Sequence, residues 1–139
     1  MTGAVIVDTG PLVAMLVARD RHHAWSTTVL GEIEPPLLTC EAVLSEACFL
    51  VRSLAGGRDA VLGLLARKIV AIGFELAPEF ERVRRLMQRY ASVPMSLADA
   101  CLVRMAQVQQ GSRILTLDGD FRIYRRNARQ ALALISPWA

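Results

Sequence analysis

Four apolar residues, Ala4-Val5-Ile6-Val7, open the patterned part of the chain without alternation. A short continuous run of this kind marks a strand buried on both faces. Asp8-Thr9-Gly10-Pro11 ends it, and Pro11 suits the first turn of a helix running to about residue 17. A second helix is predicted over 22–33; Pro35-Pro36 breaks it, and Leu37-Leu38-Thr39 follows as a second strand. A helix over 40–54, closed by Gly56-Gly57, precedes another over 59–67 and a third strand over 70–76. Pro78 opens an amphipathic, arginine-rich helix to about residue 90. Ser96 opens a further helix that reaches residue 110 and stops at Gly111. Residues 113–117 form a fourth strand ended by Asp118-Gly119-Asp120, and a short basic helix and an apolar strand over 131–135 complete the pattern.

Strands that alternate with helices predict a mainly parallel sheet covered on both faces, a three-layer α/β/α fold. No repeat, low-complexity segment or linker divides residues 1–139, so one domain is expected. With 53% hydrophobic and 21% charged residues, the composition is that of a folded globular chain and excludes disorder.

Three cysteines, Cys40, Cys48 and Cys101, lie in apolar helical stretches without a CxxC pair, which points to core thiols in a reducing compartment. His22 and His23 are adjacent and are the only histidines, so a zinc site of Cys/His spacing is excluded. The apolar start lacks a basic flank and is interrupted by Asp8, Gly10 and Pro11. It reads as strand and helix, not as signal peptide or membrane span, and a cytoplasmic location without a membrane partner is expected.

Four acids stand out. Asp8 and Asp118 follow the first and fourth strands at their carboxyl ends, the edge where open parallel sheets bind ligands. Each could equally serve as a turn residue or helix N-cap. Glu46 lies away from the polar stripe Glu41, Ser45, Cys48 and Arg52 of its helix, and its neighbours Ala42, Val43, Phe49 and Leu50 are apolar. That placement predicts a core-facing carboxylate in need of a metal, a distant arginine or a raised pKa. Asp99 sits in the first turn of its helix, where Ser96-Leu97-Ala98-Asp99 has the form of a capping box.

Were these acids to converge, repulsion would dominate: two carboxylates ~4 Å apart repel by roughly 4 kcal/mol at an effective dielectric near 20. A divalent cation relieves that repulsion, and all-oxygen ligation suits Mg²⁺, with Mn²⁺ as a substitute. Such a site fits phosphodiester hydrolysis.

Four short motifs carry a family resemblance over nearly the whole chain: Val7-Asp8-Thr9, Val43-Leu44-Ser45-Glu46-Ala47, Ser96-Leu97-Ala98-Asp99-Ala100 and Leu115-Thr116-Leu117-Asp118-Gly119-Asp120-Phe121. In this order the chain resembles the PIN-domain family, and in its compact size the VapC-type toxin ribonucleases within it. The resemblance implies a catalytic acid set of Asp8, Glu46, Asp99 and Asp118, with Asp8 and Asp99 first among the metal ligands and Asp118 with them. Thr9 and Thr116 would orient carboxylates or waters, and Asp120 would be an auxiliary acid. RNA substrate, a small cognate antitoxin of the VapB kind and a homodimer are likewise implied. Family members that process RNA, or that bind RNA or protein without catalysis, are the alternatives.

A response-regulator receiver would need paired acids after the first strand and a lysine after the last, but Asp8 stands alone and Lys68 precedes the third strand. A haloacid-dehalogenase-like phosphatase would need an acid where Gly10 stands. The formal charge of +3 accommodates a polyanion without requiring one. Arg82, Arg85 and Arg89 share a helix face that reads as solvated, whereas the arginines that follow Asp118, Arg125 and Arg126 among them, are expected to contact RNA phosphates.

Overall fold

Five short strands carry the fold in a computed structural model that describes residues 3–138: β1 (Val5–Val7), β2 (Leu37–Thr39), β3 (Val70–Ile72), β4 (Arg113–Leu115) and β5 (Leu134–Ile135). Their order is β3-β2-β1-β4-β5 and every strand pairing is parallel. All three residues of β1, the central strand, are buried, which is what its unbroken apolar run demands.

Six helices cover the sheet: α1 (Thr9–Leu16), α2 (His23–Glu32), α3 (Glu41–Leu50), α4 (Gly57–Ala66), α5 (Leu76–Arg89) and α6 (Leu97–Val108). The path from β1 through β2 to β3 steps one way along the sheet, and the return from β3 to β4 crosses to the far side of β1. Right-handed crossovers therefore put α1–α4 on one face and α5 and α6 on the other. α6 lies against β1 and β4, and α1 packs on α2, α3 and α4. Ile6, Leu12, Leu37, Leu64, Leu102 and Ile114 are fully buried in the main core, while Leu44, Ala47, Val51 and Val61 form a smaller cluster where α3 and α4 meet α1. No described helix is long and apolar enough to cross a membrane.

The expected elements are present with different ends. β3 stops at Ile72 and α5 begins at Leu76, so Pro78 lies within the first turn, where its missing N–H costs nothing. α3 ends at Leu50, and turns lead to Gly56, whose φ of 70° is the left-handed conformation that glycine supplies. Gly111, with φ 73°, follows the end of α6 as expected. The basic segment after Asp118 does not form the expected helix. It makes only a 3₁₀ turn over Gly119–Arg122 and then an antiparallel bridge between Arg125 and Ala131. Phe121 and Tyr124 are drawn into the core, and the Arg125 backbone N–H donates to the Tyr90 hydroxyl at 3.0 Å instead of to a helical carbonyl.

Because the strand order reverses between β1 and β4, the carboxyl ends of these parallel strands form a topological switch point, where the turns diverge and leave a crevice. Asp8 and Asp118 stand on either side of it.

Candidate active site

Asp8 follows β1 and caps α1: its Oδ1 accepts the Thr9 backbone N–H at 2.8 Å. The Asp8 N–H donates to the Leu115 carbonyl at 3.0 Å, which prolongs the β1–β4 ladder and brings Thr116 alongside. The Thr116 hydroxyl donates to Asp8 Oδ2 at 2.8 Å and accepts the Asp118 backbone N–H at 2.9 Å. One hydroxyl thus fixes both acids at the switch point. Asp118 in turn caps the 3₁₀ turn, its Oδ1 accepting the Asp120 N–H at 2.9 Å.

Asp99 enters from α6. Ser96 caps that helix, with its Oγ accepting the Asp99 backbone N–H at 3.0 Å, so one side of the expected capping box is formed. The Asp99 side chain is engaged elsewhere, for Oδ2 accepts the Tyr124 hydroxyl at 2.8 Å. Capping and a place in the cleft coexist at Asp8 and Asp118, whereas at α6 Ser96 caps and leaves the Asp99 carboxylate to the cleft.

Glu46 departs from expectation. It is exposed, not core-facing, because α3 packs through Val43, Leu44, Ala47 and Val51 and leaves Phe49 at 59% and Leu50 at 55% exposure. Its Oε1 nevertheless accepts the Thr9 hydroxyl at 3.1 Å, which turns the carboxylate toward Asp8.

Asp8, Glu46, Asp99, Asp118 and Asp120 all line one cleft of about 610 Å³, with Thr9 and Ser96 between them. Asp8 is 6% and Asp99 8% exposed. Burial pushes the Asp8 carboxyl up to about 7, against the opposing hydrogen bonds from Thr116 and Thr9, and the charges of Asp99 and Asp118 push it further the same way. Asp99 is also raised, first by burial and then by Asp118, with Tyr124 holding it back. These carboxylates sense one another.

Among the described residues, no three carboxylate, histidine or cysteine side chains are drawn together tightly enough to enclose an ion. The donor chemistry fits a hard divalent cation all the same. Every candidate ligand is a carboxylate oxygen, and a cation beside Asp8 would offset the burial and repulsion that raise its pKa.

Arg125 and Arg126 do not line the cleft. Arg125 Nη1 donates to the carbonyls of Arg122 and Tyr124 at 2.8 and 3.1 Å, and Arg126 Nε donates to that of Ala106 at 3.1 Å. Tyr124 is the site residue that sequence reasoning missed. Its ring and that of Phe121 are buried and pack edge to face at 5.2 Å. A second groove of about 510 Å³ adjoins the cleft between α3 and the start of α6, sharing Glu46 and Ser96 with it and adding Cys40, Phe74, Leu76 and Cys101. Cys40 and Cys101 are buried free thiols and Cys48 is half-buried, as expected of core cysteines.

A doubly covered parallel sheet with carboxylates at its switch point is the architecture of the PIN domain, and the PIN domain family model matches residues 5–127. The chain belongs to that family. It is 30% identical over 118 residues to ribonuclease VapC26 of Mycobacterium tuberculosis (strain ATCC 25618 / H37Rv), a match that spans 82% of this chain and 86% of the relative. Its fold superposes with a TM-score of 0.71 on the crystal structure of M. tuberculosis VapC20, described as a sarcin–ricin-loop-cleaving toxin. That likeness covers 84% of this chain and 92% of the other at 22% identity.

Proposed function

We propose that this chain is a cytoplasmic, Mg²⁺-dependent endoribonuclease and the toxin of a VapBC-type toxin–antitoxin pair. The observation that carries the reading is the single cleft lined by Asp8, Glu46, Asp99 and Asp118, in which burial and the neighbours' charge raise the pKa of both Asp8 and Asp99. Mg²⁺ or Mn²⁺, held by Asp8, Asp99 and Asp118, would neutralise the cluster, polarise the scissile phosphate and lower the pKa of an attacking water.

The chain's own residues prepare the site. Thr116 orients Asp8 toward the crevice and holds the backbone of Asp118 beside it. Tyr124 pins Asp99, and Thr9 steers the exposed Glu46, the carboxylate best placed to take a proton from water entering the cleft. Asp120 adds negative charge at the rim.

The groove beside the cleft suits the antitoxin. Its lining is largely apolar and it opens onto Glu46, so a partner helix seated there could direct an arginine or lysine at the carboxylates. Exposed Phe49 and Leu50 offer an apolar surface for a homodimer.

Incubation of the purified chain with cellular RNA tests the enzyme. Cleavage is expected with Mg²⁺ or Mn²⁺, and neither EDTA-treated protein nor Asp99→Asn should cut. Full activity in chelator would sink the metal mechanism.

A further inference from the structure

α5 and α6 flank a shallow, open cavity of about 210 Å³ lined by Arg82, Arg85 and Arg89 from the first helix and Gln107 from the second, over Leu86. All three arginines are exposed, and among the described residues none is paired with a carboxylate. Gln107 is oriented by a relay: Glu79 holds Arg104 at 2.8 Å, and Arg104 Nη1 donates to Gln107 Oε1 at 3.1 Å. A guanidinium has no acceptor, so the amide oxygen must face Arg104 and the NH₂ is left to donate elsewhere. The cavity's polar side chains therefore offer hydrogen-bond donors, three of them cationic. That is the chemistry of an oxyanion site.

The loop that carries Arg125 and Arg126 packs beside this surface. Arg126 Nε donates to the carbonyl of Ala106, the residue before Gln107, and its Nη2 is buried without a hydrogen-bond partner among the described residues. The Arg125 backbone N–H meets the hydroxyl of Tyr90, the residue after Arg89. Two arginine groups far apart in the chain thus converge. A chain of contacts links this surface to the acid cleft: Tyr90 packs on Tyr124 at 5.1 Å, and Tyr124 bonds Asp99.

We propose that this surface binds the phosphate backbone of the RNA strand beside the scissile bond, an inference that rests on the ribonuclease reading of the cleft. The cleft carries five carboxylates and repels a polyanion, so a strand needs a cationic anchor close by to enter it. Arg82 to Arg89 covers about 10 Å of helix axis, a track suited to a repeating charge and not a point site. The sole apolar lining residue, Leu86, is buried, so a protein partner would find no apolar anchor here.

The test measures binding of a labelled single-stranded RNA by fluorescence anisotropy, in EDTA, with every protein carrying Asp99→Asn to prevent cleavage. Arg82→Ala/Arg85→Ala is compared with Arg58→Ala/Arg67→Ala, which removes the same charge from exposed positions on α4 and at its end. The first pair should weaken binding about tenfold near 0.1 M salt and reduce the log–log salt slope by about 0.7 for each phosphate no longer neutralised. The second pair should stay within about twofold, because distant exposed charges are screened. Arg82→Lys/Arg85→Lys should recover most of the slope, which excludes misfolding as the cause. Equal weakening by the two alanine pairs, with the wild type still cutting RNA, would overturn this surface alone. If the Asp99→Asn parent does not bind RNA and the wild type does not cut it, the ribonuclease reading falls and this surface with it.

Discussion

Both oxygens of Asp8 already accept hydrogen bonds, and yet burial still holds its carboxyl near 7 in place of the ordinary 3.8. Between about pH 4 and 7 the unfolded chain has released this proton while the folded chain keeps it, so metal-free stability falls as pH rises through that window. Asp99 acts in the same direction. Asp8→Asn retains the cap acceptor for Thr9 but cannot ionise; in EDTA at pH 8 it should be more stable than wild type by about 2–4 kcal/mol, with the gap closing toward pH 4. Thermal melts at the two pH values measure this, and a wild type equally stable at both would contradict it. Tyr124→Phe removes the hydrogen bond that restrains Asp99, so the acidic limb of the cleavage profile should move to higher pH. Stability should fall by about 1–2 kcal/mol as a buried acceptor is left without its donor. An unmoved pH profile would leave Tyr124 as a packing residue only. Asp8 and Asp118 were legible in the sequence because each interrupts the end of an apolar run. Tyr124 was not, because nothing local distinguishes a buried aromatic that only packs from one whose hydroxyl reaches a distant carboxylate.

At the scale of elements, helix α6 behaves as its sequence implies and α3 does not. Ser96 marks the α6 start and does cap it, and Ser96→Ala should cost about 1 kcal/mol and free the Asp99 backbone N–H within the cleft. α3 is apolar around most of its circumference, so its periodicity does not say which stripe is buried. The choice is made by α1 and α4, which take Leu44, Ala47 and Val51 and leave Phe49 and Leu50 outside. Glu46 consequently carries no burial cost. Glu46→Gln should change metal-free stability by less than about 0.5 kcal/mol, while cleavage falls sharply. A gain in stability of several kcal/mol would return Glu46 to the core side. The segment after Asp118 departs from its pattern for a related reason: its arginines suggest a short basic helix, but Phe121 and Tyr124 govern its path.

For the whole molecule, what sequence could not supply was adjacency. Strands in the order β1 to β5 are readable from apolar runs, but the pairing of β1 with β4 is a long-range fact. It alone brings Asp8 beside Thr116 and Asp118, and it converts separate turn acids into one cleft. The same architecture sets an acidic cleft close to a basic surface, with an apolar groove open beside Glu46. An uncovered ribonuclease cleft of this kind endangers the cell that makes it, and a partner that fills the groove and inserts a cation among the carboxylates would silence it. Expression of this chain alone should therefore arrest growth, and Asp8→Asn or Asp99→Asn should abolish the arrest without loss of soluble protein. Co-expression of the cognate antitoxin should restore growth through a stable complex, and replacing the partner's inserted cation with alanine should weaken the rescue. If a nuclease-active wild type is harmless when expressed alone, the chain is an RNA-processing enzyme and not a toxin.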